Sequence, residues 1–324
     1  MLCASASLHY TRSDGGSADA APRDQRLAQL HCAPGAAAAR RYPPYARDVE
    51  SFFEPLGESR SAGVAREDWT VRAFAATGHT AGPWSADLMH AGPPTALVAH
   101  VAASVLPVPS LRLGRLCVEI LSPLAVGEVS VGARVLRPGS RVCLVESKLA
   151  VGGRTAMTAR CWYIRRGSAA GLPSTRPTPP PDSGEPREIP AGWGRGYLDA
   201  LEWRWVSGGF ESAGDACVWA RSRTDLVAGE SISPVERVLV LADSASGISS
   251  LANPAELLFV NTDLTVHVLR EPTGPWLWMR ASTRLDDNGS GITSGTIGDR
   301  NGDLARTGQL LFVEPQRPMG TAKS

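Results

Sequence analysis

Pro94-Thr-Ala-Leu-Val-Ala-His-Val-Ala-Ala-Ser-Val-Leu106 is small and apolar around nearly its whole circumference. A helix of that composition is buried on all sides, not laid amphipathically on a surface. Pro93 and Pro94 stand at its start, where a missing N–H costs nothing, and Pro107 follows its end. A second apolar helix opens at Ser233-Pro-Val-Glu236, a capping box with Pro at the first helical position. It is predicted to run through Asp243 to about Leu251.

Each helix is followed by a matching series of alternating strands. Val118-Glu-Ile-Leu-Ser-Pro123 answers Val266-His-Val-Leu-Arg-Glu-Pro272. Pro123 to Gly153 and Pro272 to Gly302 are both 30 residues, and Pro123 to Ile164 and Pro272 to Val313 are both 41. Gly139-Ser140 and Gly289-Ser290 mark the intervening turn within one residue of the same register. Equal spacing of turn signals over such a length is the trace of an internal duplication. A single helix with its strands leaves a sheet edge open, so each unit is predicted to pair with the other. The fold class expected is α+β, two antiparallel sheets each wrapped around a central helix.

Outside the repeats the composition changes. Residues 1–46 are rich in Ala, Arg, Ser and Gly without hydrophobic periodicity and read as a disordered extension. Residues 167–189, with Pro-Thr-Pro-Pro-Pro181, read as a semi-stiff linker between domains at 47–166 and 190–316, and 317–324 as a tail. Charged residues are 20% of the chain and the net charge is +1, which disfavours nucleic acid as a partner. There is no run of 18 apolar residues to span a membrane and no secretory signal pattern. Six scattered cysteines suit neither a disulfide framework nor a zinc site, so reduced thiols and a cytoplasmic location are expected, with no metal and no cofactor.

Several stretches together resemble a known family: Phe52-Phe-Glu-Pro-Leu-Gly57, His79-Thr-Ala-Gly-Pro-Trp-Ser-Ala-Asp-Leu-Met-His-Ala-Gly-Pro-Pro94, Leu136-Arg-Pro-Gly-Ser-Arg141 and Leu264-Thr-Val-His-Val268. They are similar to the thioesterase-like double-hotdog proteins, relatives of bacterial acyl-CoA thioesterase II, over about residues 50–315. The resemblance implies a tandem hotdog fold, an acyl-CoA substrate, and hydrolysis by an activated water. A homodimer is optional, because the tandem already supplies the basic pairing.

Thioester hydrolysis needs that water, donors for the developing oxyanion and a groove for the acyl chain. No Gly-x-Ser-x-Gly elbow, phosphate loop or dinucleotide fingerprint competes. Asp243 stands out as a carboxylate within an apolar helix, costly there unless paired or used. The resemblance implies a catalytic Asp on this helix, with a Thr on the following strand and a Gln on the last strand. Gln309 fits the last and shares a strand face with Thr307, Leu311 and Val313. At the Thr position stand Asn261 and its neighbour Thr262. His90-Ala-Gly-Pro-Pro94 delivers a loop into a buried helix start, whose N–H groups suit an oxyanion, so His90, Gly92 and Pro93 are expected to meet substrate. The family has two glycines where this chain has Ala91 and Gly92. Measured from the paired prolines, Arg160 occupies the place of Gln309 and His100 roughly answers Asp243. Arg134, Arg137 and Arg141 fit either CoA phosphates or a solvated strand face. The alternatives are an acyl-group binding protein with little hydrolysis and a hotdog hydratase or dehydratase. The latter lacks its Asp/His motif.

Overall fold

The computed structural model describes residues 51–57, 68–167, 180, 184–251 and 257–315. The expected extension at 1–46, most of the linker and the tail at 317–324 lie outside the described residues. The first half contains β1 (Ser51–Leu56), β2 (Thr70–Ala76), β3 (Ala81–Gly82), β4 (Ser85–Met89), α1 (Gly92–Ser104), β5 (Leu111–Ile120), β6 (Glu128–Arg137), β7 (Val142–Val151) and β8 (Arg154–Arg165). The second contains α2 (Gly196–Asp199), β9 (Leu201–Ser207), β10 (Ala216–Ser222), β11 (Asp225–Val227), α3 (Pro234–Ala242) and α4 (Ala245–Ile248). It closes with β12 (Leu257–Asn261), β13 (Asp263–Val268), β14 (Leu277–Leu285), β15 (Ser290–Asp299) and β16 (Gly302–Pro315).

One continuous sheet carries the order β11-β1-β2-β6-β7-β8-β5-β13-β16-β15-β14-β10-β9, with β12 paired beside β13 on β16. From β1 to β9 this order is the same pattern read from either end, with the halves meeting at β5 and β13. At that junction Val118 lies opposite Leu264 and Leu116 opposite Val266, the exchange that a two-fold relation requires. The strands thus correspond at a spacing of 148 residues: Cys117 pairs Arg160 as Thr265 pairs Gly308, and Val145 pairs Cys161 as Thr293 pairs Gln309.

That register corrects one expectation. The prolines 123 and 272 are 149 apart because the second loop is one residue longer, and a one-residue slip turns a strand to its other face. The counterpart of Gln309 is therefore the buried Cys161, while Arg160 is exposed and bonds Glu146.

α1 is buried along nearly its full length, as its apolar circumference predicts. It runs antiparallel to α3: Gly92 meets the carbonyl of Val240 and His100 meets Glu236. A Cβ on Gly92 would lie 2.2 Å from that carbonyl oxygen, so only glycine permits this approach. The second helix departs from expectation. It ends at Ala242, Asp243 is its last cap residue, and a separate turn, α4, follows Ser244. The carbonyls at its end are taken by side chains: Tyr197 Oη donates to Val240 O (2.8 Å) and Gln309 Nε2 to Asp243 O (3.3 Å). Ser244 N–H turns back to Leu241 O at 3.0 Å, closing the last turn tightly.

Candidate active site

The helix break places the Asp243 carboxylate, 6% exposed, above the inner face of the second-half sheet. Asn261, the last residue of β12, donates from Nδ2 to Asp243 Oδ1 at 2.8 Å. Gln309 lies on the inward face of β16 and donates from Nε2 to the same oxygen at 3.0 Å. Its orientation follows from its other end, since Gln309 Oε1 accepts the backbone N–H of Ser246 in α4 (3.2 Å). Asn261 is steadied by a second bond to the carbonyl of Asp263 (3.2 Å).

The first half supplies the fourth group. His90 follows the β3–β4 hairpin, and its Nδ1 lies 3.2 Å from Asp243 Oδ2. The ring stacks flat on Tyr197, centroids 3.7 Å apart and planes within 4°. Tyr197 Oη is in turn 2.7 Å from Ser244 Oγ. Burial holds the His90 imidazolium below its ordinary pKa of 6.5, against the upward pull of Asp243, so the ring is neutral at neutral pH. Burial likewise pushes the Tyr197 hydroxyl well above its usual range, which keeps it a proton-bearing donor.

His90 Nδ1 is also 3.1 Å from the backbone N of Gly92. One ring nitrogen cannot donate to the carboxylate and accept from Gly92 together. With the proton on Nδ1 the ring bonds Asp243, and the Gly92 N–H is released. Donors at this helix start are fewer than expected. Pro93 and Pro94 carry no N–H and Thr95 N–H already bonds Ala91 O, so Gly92 is left among the first four helical residues. Gly92's close approach is to α3, and Pro93 is buried in the helix start.

The structure therefore brings together Asp243, Asn261, Gln309 and His90, and leaves Thr262 out. Thr262 is exposed at the kink between β12 and β13, where its N–H donates to Leu310 O and its carbonyl accepts Ile120 N–H. His100 sits toward the other end of the helix pair, bonded to Glu236 (2.9 Å) and Arg72 (2.9 Å). Arg134 is committed to Glu146 and Asp68, both at 2.8 Å. Tyr197 and the Ser246 amide were not singled out from sequence. The available signal was Gly194-Arg-Gly196 before Tyr197. A Cβ on Gly196 would come 2.2 Å from Gly78 O, so that glycine lets the segment close onto the first half. A groove of about 420 Å³ lined by Arg187, Leu198, Trp203, Arg204 and Arg223 contains none of the four residues around the carboxylate.

This fold recurs among solved structures, which place it in the hotdog class. A protein with a provisional thioesterase II designation from Thermobifida fusca YX is 20% identical, with a TM-score of 0.61 over 78% of this chain and 94% of its own. A hotdog-fold protein from Alicyclobacillus acidocaldarius is 18% identical, with a TM-score of 0.61 over 77% of this chain and 94% of its own. An acyl-CoA thioesterase II from Mycobacterium marinum is 16% identical, with a TM-score of 0.54 over 78% and 94%. No curated protein sequence matches. The acyl-CoA thioesterase N-terminal domain profile matches residues 80–164 and the C-terminal domain profile residues 175–313. The chain belongs to the acyl-CoA thioesterase family and is an enzyme of the thioester-hydrolase class. No helix among the described residues is long and apolar enough to cross a membrane.

Proposed function

We propose that the protein is a tandem double hotdog that hydrolyses acyl-CoA thioesters to the free acid and CoA, using a water held at Asp243. The observation that carries this reading is the convergence on one carboxylate of Asn261, Gln309 and His90, from three separate elements and from both halves. A buried carboxylate held at fixed geometry can orient a water and accept its proton as the oxygen attacks the carbonyl carbon. The negative charge developing on the carbonyl oxygen needs a donor, and the Gly92 N–H supplies one when His90 carries its proton on Nδ1. The C–S bond then breaks, the thiolate leaves as CoA, and the proton held at Asp243 passes to it. Asn261 donates to the carboxylate, and a Thr hydroxyl is likewise a donor, so the departure from Thr keeps a donor at that position.

Single turnover of an acyl-CoA in ¹⁸O-labelled water tests the route. Direct water attack places label in the released acid and none in the protein. Label in the Asp243 carboxylate means that Asp243 attacked the carbonyl itself, and absence of thiol release from any acyl-CoA contradicts the function.

A further inference from the structure

The hairpin that delivers His90 carries a tryptophan at its tip. Trp84, between β3 and β4, is 52% exposed, yet its ring is held on two sides. It packs edge-on against Trp193 (centroids 4.7 Å apart, 61°) and against Phe259 (6.2 Å, 71°). Trp193 packs in turn on Phe210 (6.1 Å), behind which Trp203 and Tyr197 continue the aromatic contact to His90. Exposed aromatic area is costly in water, and a half-exposed ring already fixed by two aromatic neighbours is prepared for an apolar ligand. Backbone pairing holds the two tryptophans together, because Gly194 N–H, next to Trp193, donates to Pro83 O, next to Trp84, at 2.9 Å.

Phe259 connects this surface to the carboxylate. Leu257, Phe259 and Asn261 are partly buried while Leu258 and Val260 face solvent, so Phe259 shares the face of Asn261, which bonds Asp243. Two positions along a strand are about 7 Å, which an extended chain of about six carbons spans. The nucleotide of CoA also stacks on aromatic rings, but its phosphates call for free cations. The arginine beside Trp193, Arg195, is bound to Asp199 by two bonds of 2.8 and 2.6 Å. Arg187 lies against Gly209 at the Phe210 end of the cluster, whereas the Phe259 end leads along its strand to Asn261 and the carboxylate, so the acyl arm is the occupant that fits there.

We infer that Trp84, Trp193 and Phe259 form the acyl-binding wall of the site and select apolar acyl groups of about six carbons or more. This rests on the reading that Asp243 marks the thioester carbonyl. Non-hydrolysable S-ethyl-, S-octyl- and S-dodecyl-CoA thioethers test it by calorimetry without any turnover. In Trp84→Ala, and separately in Phe259→Ala, octyl and dodecyl binding is expected to weaken about tenfold while ethyl binding changes less than about twofold. The octyl loss is expected to persist with S-octyl-N-acetylcysteamine, which has no nucleotide. Equal loss at all chain lengths, no loss, or a loss that vanishes with the nucleotide-free ligand overturns the inference, the last reassigning the box to the adenine ring. Asp243→Asn, followed by thiol release, reports the catalytic reading independently of these binding curves.

Discussion

The two halves share one strand order and one register, but their inner faces differ in chemistry. At the spacing of 148 residues, Asn261, Thr293 and Gln309 of the second half correspond to Leu113, Val145 and Cys161 of the first. The first set is polar and partnered, and the second is apolar and buried. The helices follow suit, since α1 runs unbroken through 13 residues while α3 stops at a carboxylate. The matched strand order gives two equivalent scaffolds. One keeps a fully packed core around a continuous helix, and the other accepts a broken helix over a polar floor. The intact half then contributes only its loop, His90 to Gly92, to the site of its partner.

Making the second half resemble the first breaks this contrast most severely. Asn261→Leu with Gln309→Cys removes both donors to Asp243 Oδ1, and thiol release is expected to fall about 10³-fold, measured at saturating acyl-CoA. The cost also includes a carboxylate left short of partners, so the melting temperature falls as well. A next, smaller effect concerns a second feature with no copy in the first half. Arg270 makes a bidentate pair with the fully buried Asp299, which also accepts the N–H of Thr273 (2.9 Å) and of Asn301 (2.7 Å). Val151 stands at the corresponding place. Burial alone raises the Asp299 carboxyl, but these bonds outweigh it and hold the group at about 2 instead of 3.8. Its folded pKa is depressed, so the stability is full above pH 3.8 and is lost as pH falls through about 2. Denaturant titrations across that window are expected to lose about 2 kcal/mol, and Asp299→Asn is expected to flatten this part of the profile.

The register itself predicts the two smallest effects. Cys161→Gln places an amide among apolar neighbours and is expected to cost about 2 kcal/mol in chemical denaturation. Arg160→Gln, one residue away on the outer face, is expected to change stability by less than about 0.5 kcal/mol and turnover not at all. If Arg160→Gln proves the more damaging of the two, the correspondence of Gln309 with Cys161 is wrong.

Much of this was readable from sequence, for reasons specific to each feature. The repeat is visible because turn glycines and prolines recur at equal spacing, while Gln309 is picked out by the family resemblance and strand alternation adds only that it shares a face with Thr307 and Leu311. Asn261 and its neighbour Thr262 stand together at the Thr position that the resemblance implies, and only the kink between β12 and β13, which turns Thr262 to solvent, separates them. Prolines 123 and 272 misplace Arg160 against Gln309 because they lie in loops, and a loop absorbs an extra residue without changing the sheet register. The break at Asp243 was hidden, since neither Asp nor Ser interrupts a helix by itself. It follows from Tyr197 and Gln309 taking the carbonyls, and both are distant in sequence. His90 was legible as a loop residue. Its contact with Asp243 was not, because it depends on how the two helices cross.

One carboxylate, held by groups from both halves, is proposed to direct water at the thioester. Asp243→Asn tests it most directly, because the amide fits the same space but cannot accept the water's proton. Thiol release from octanoyl-CoA at saturation is expected to fall at least about 10²-fold, while S-octyl-CoA binds within about threefold of the unaltered protein. Unchanged turnover in a folded Asp243→Asn protein would contradict the account.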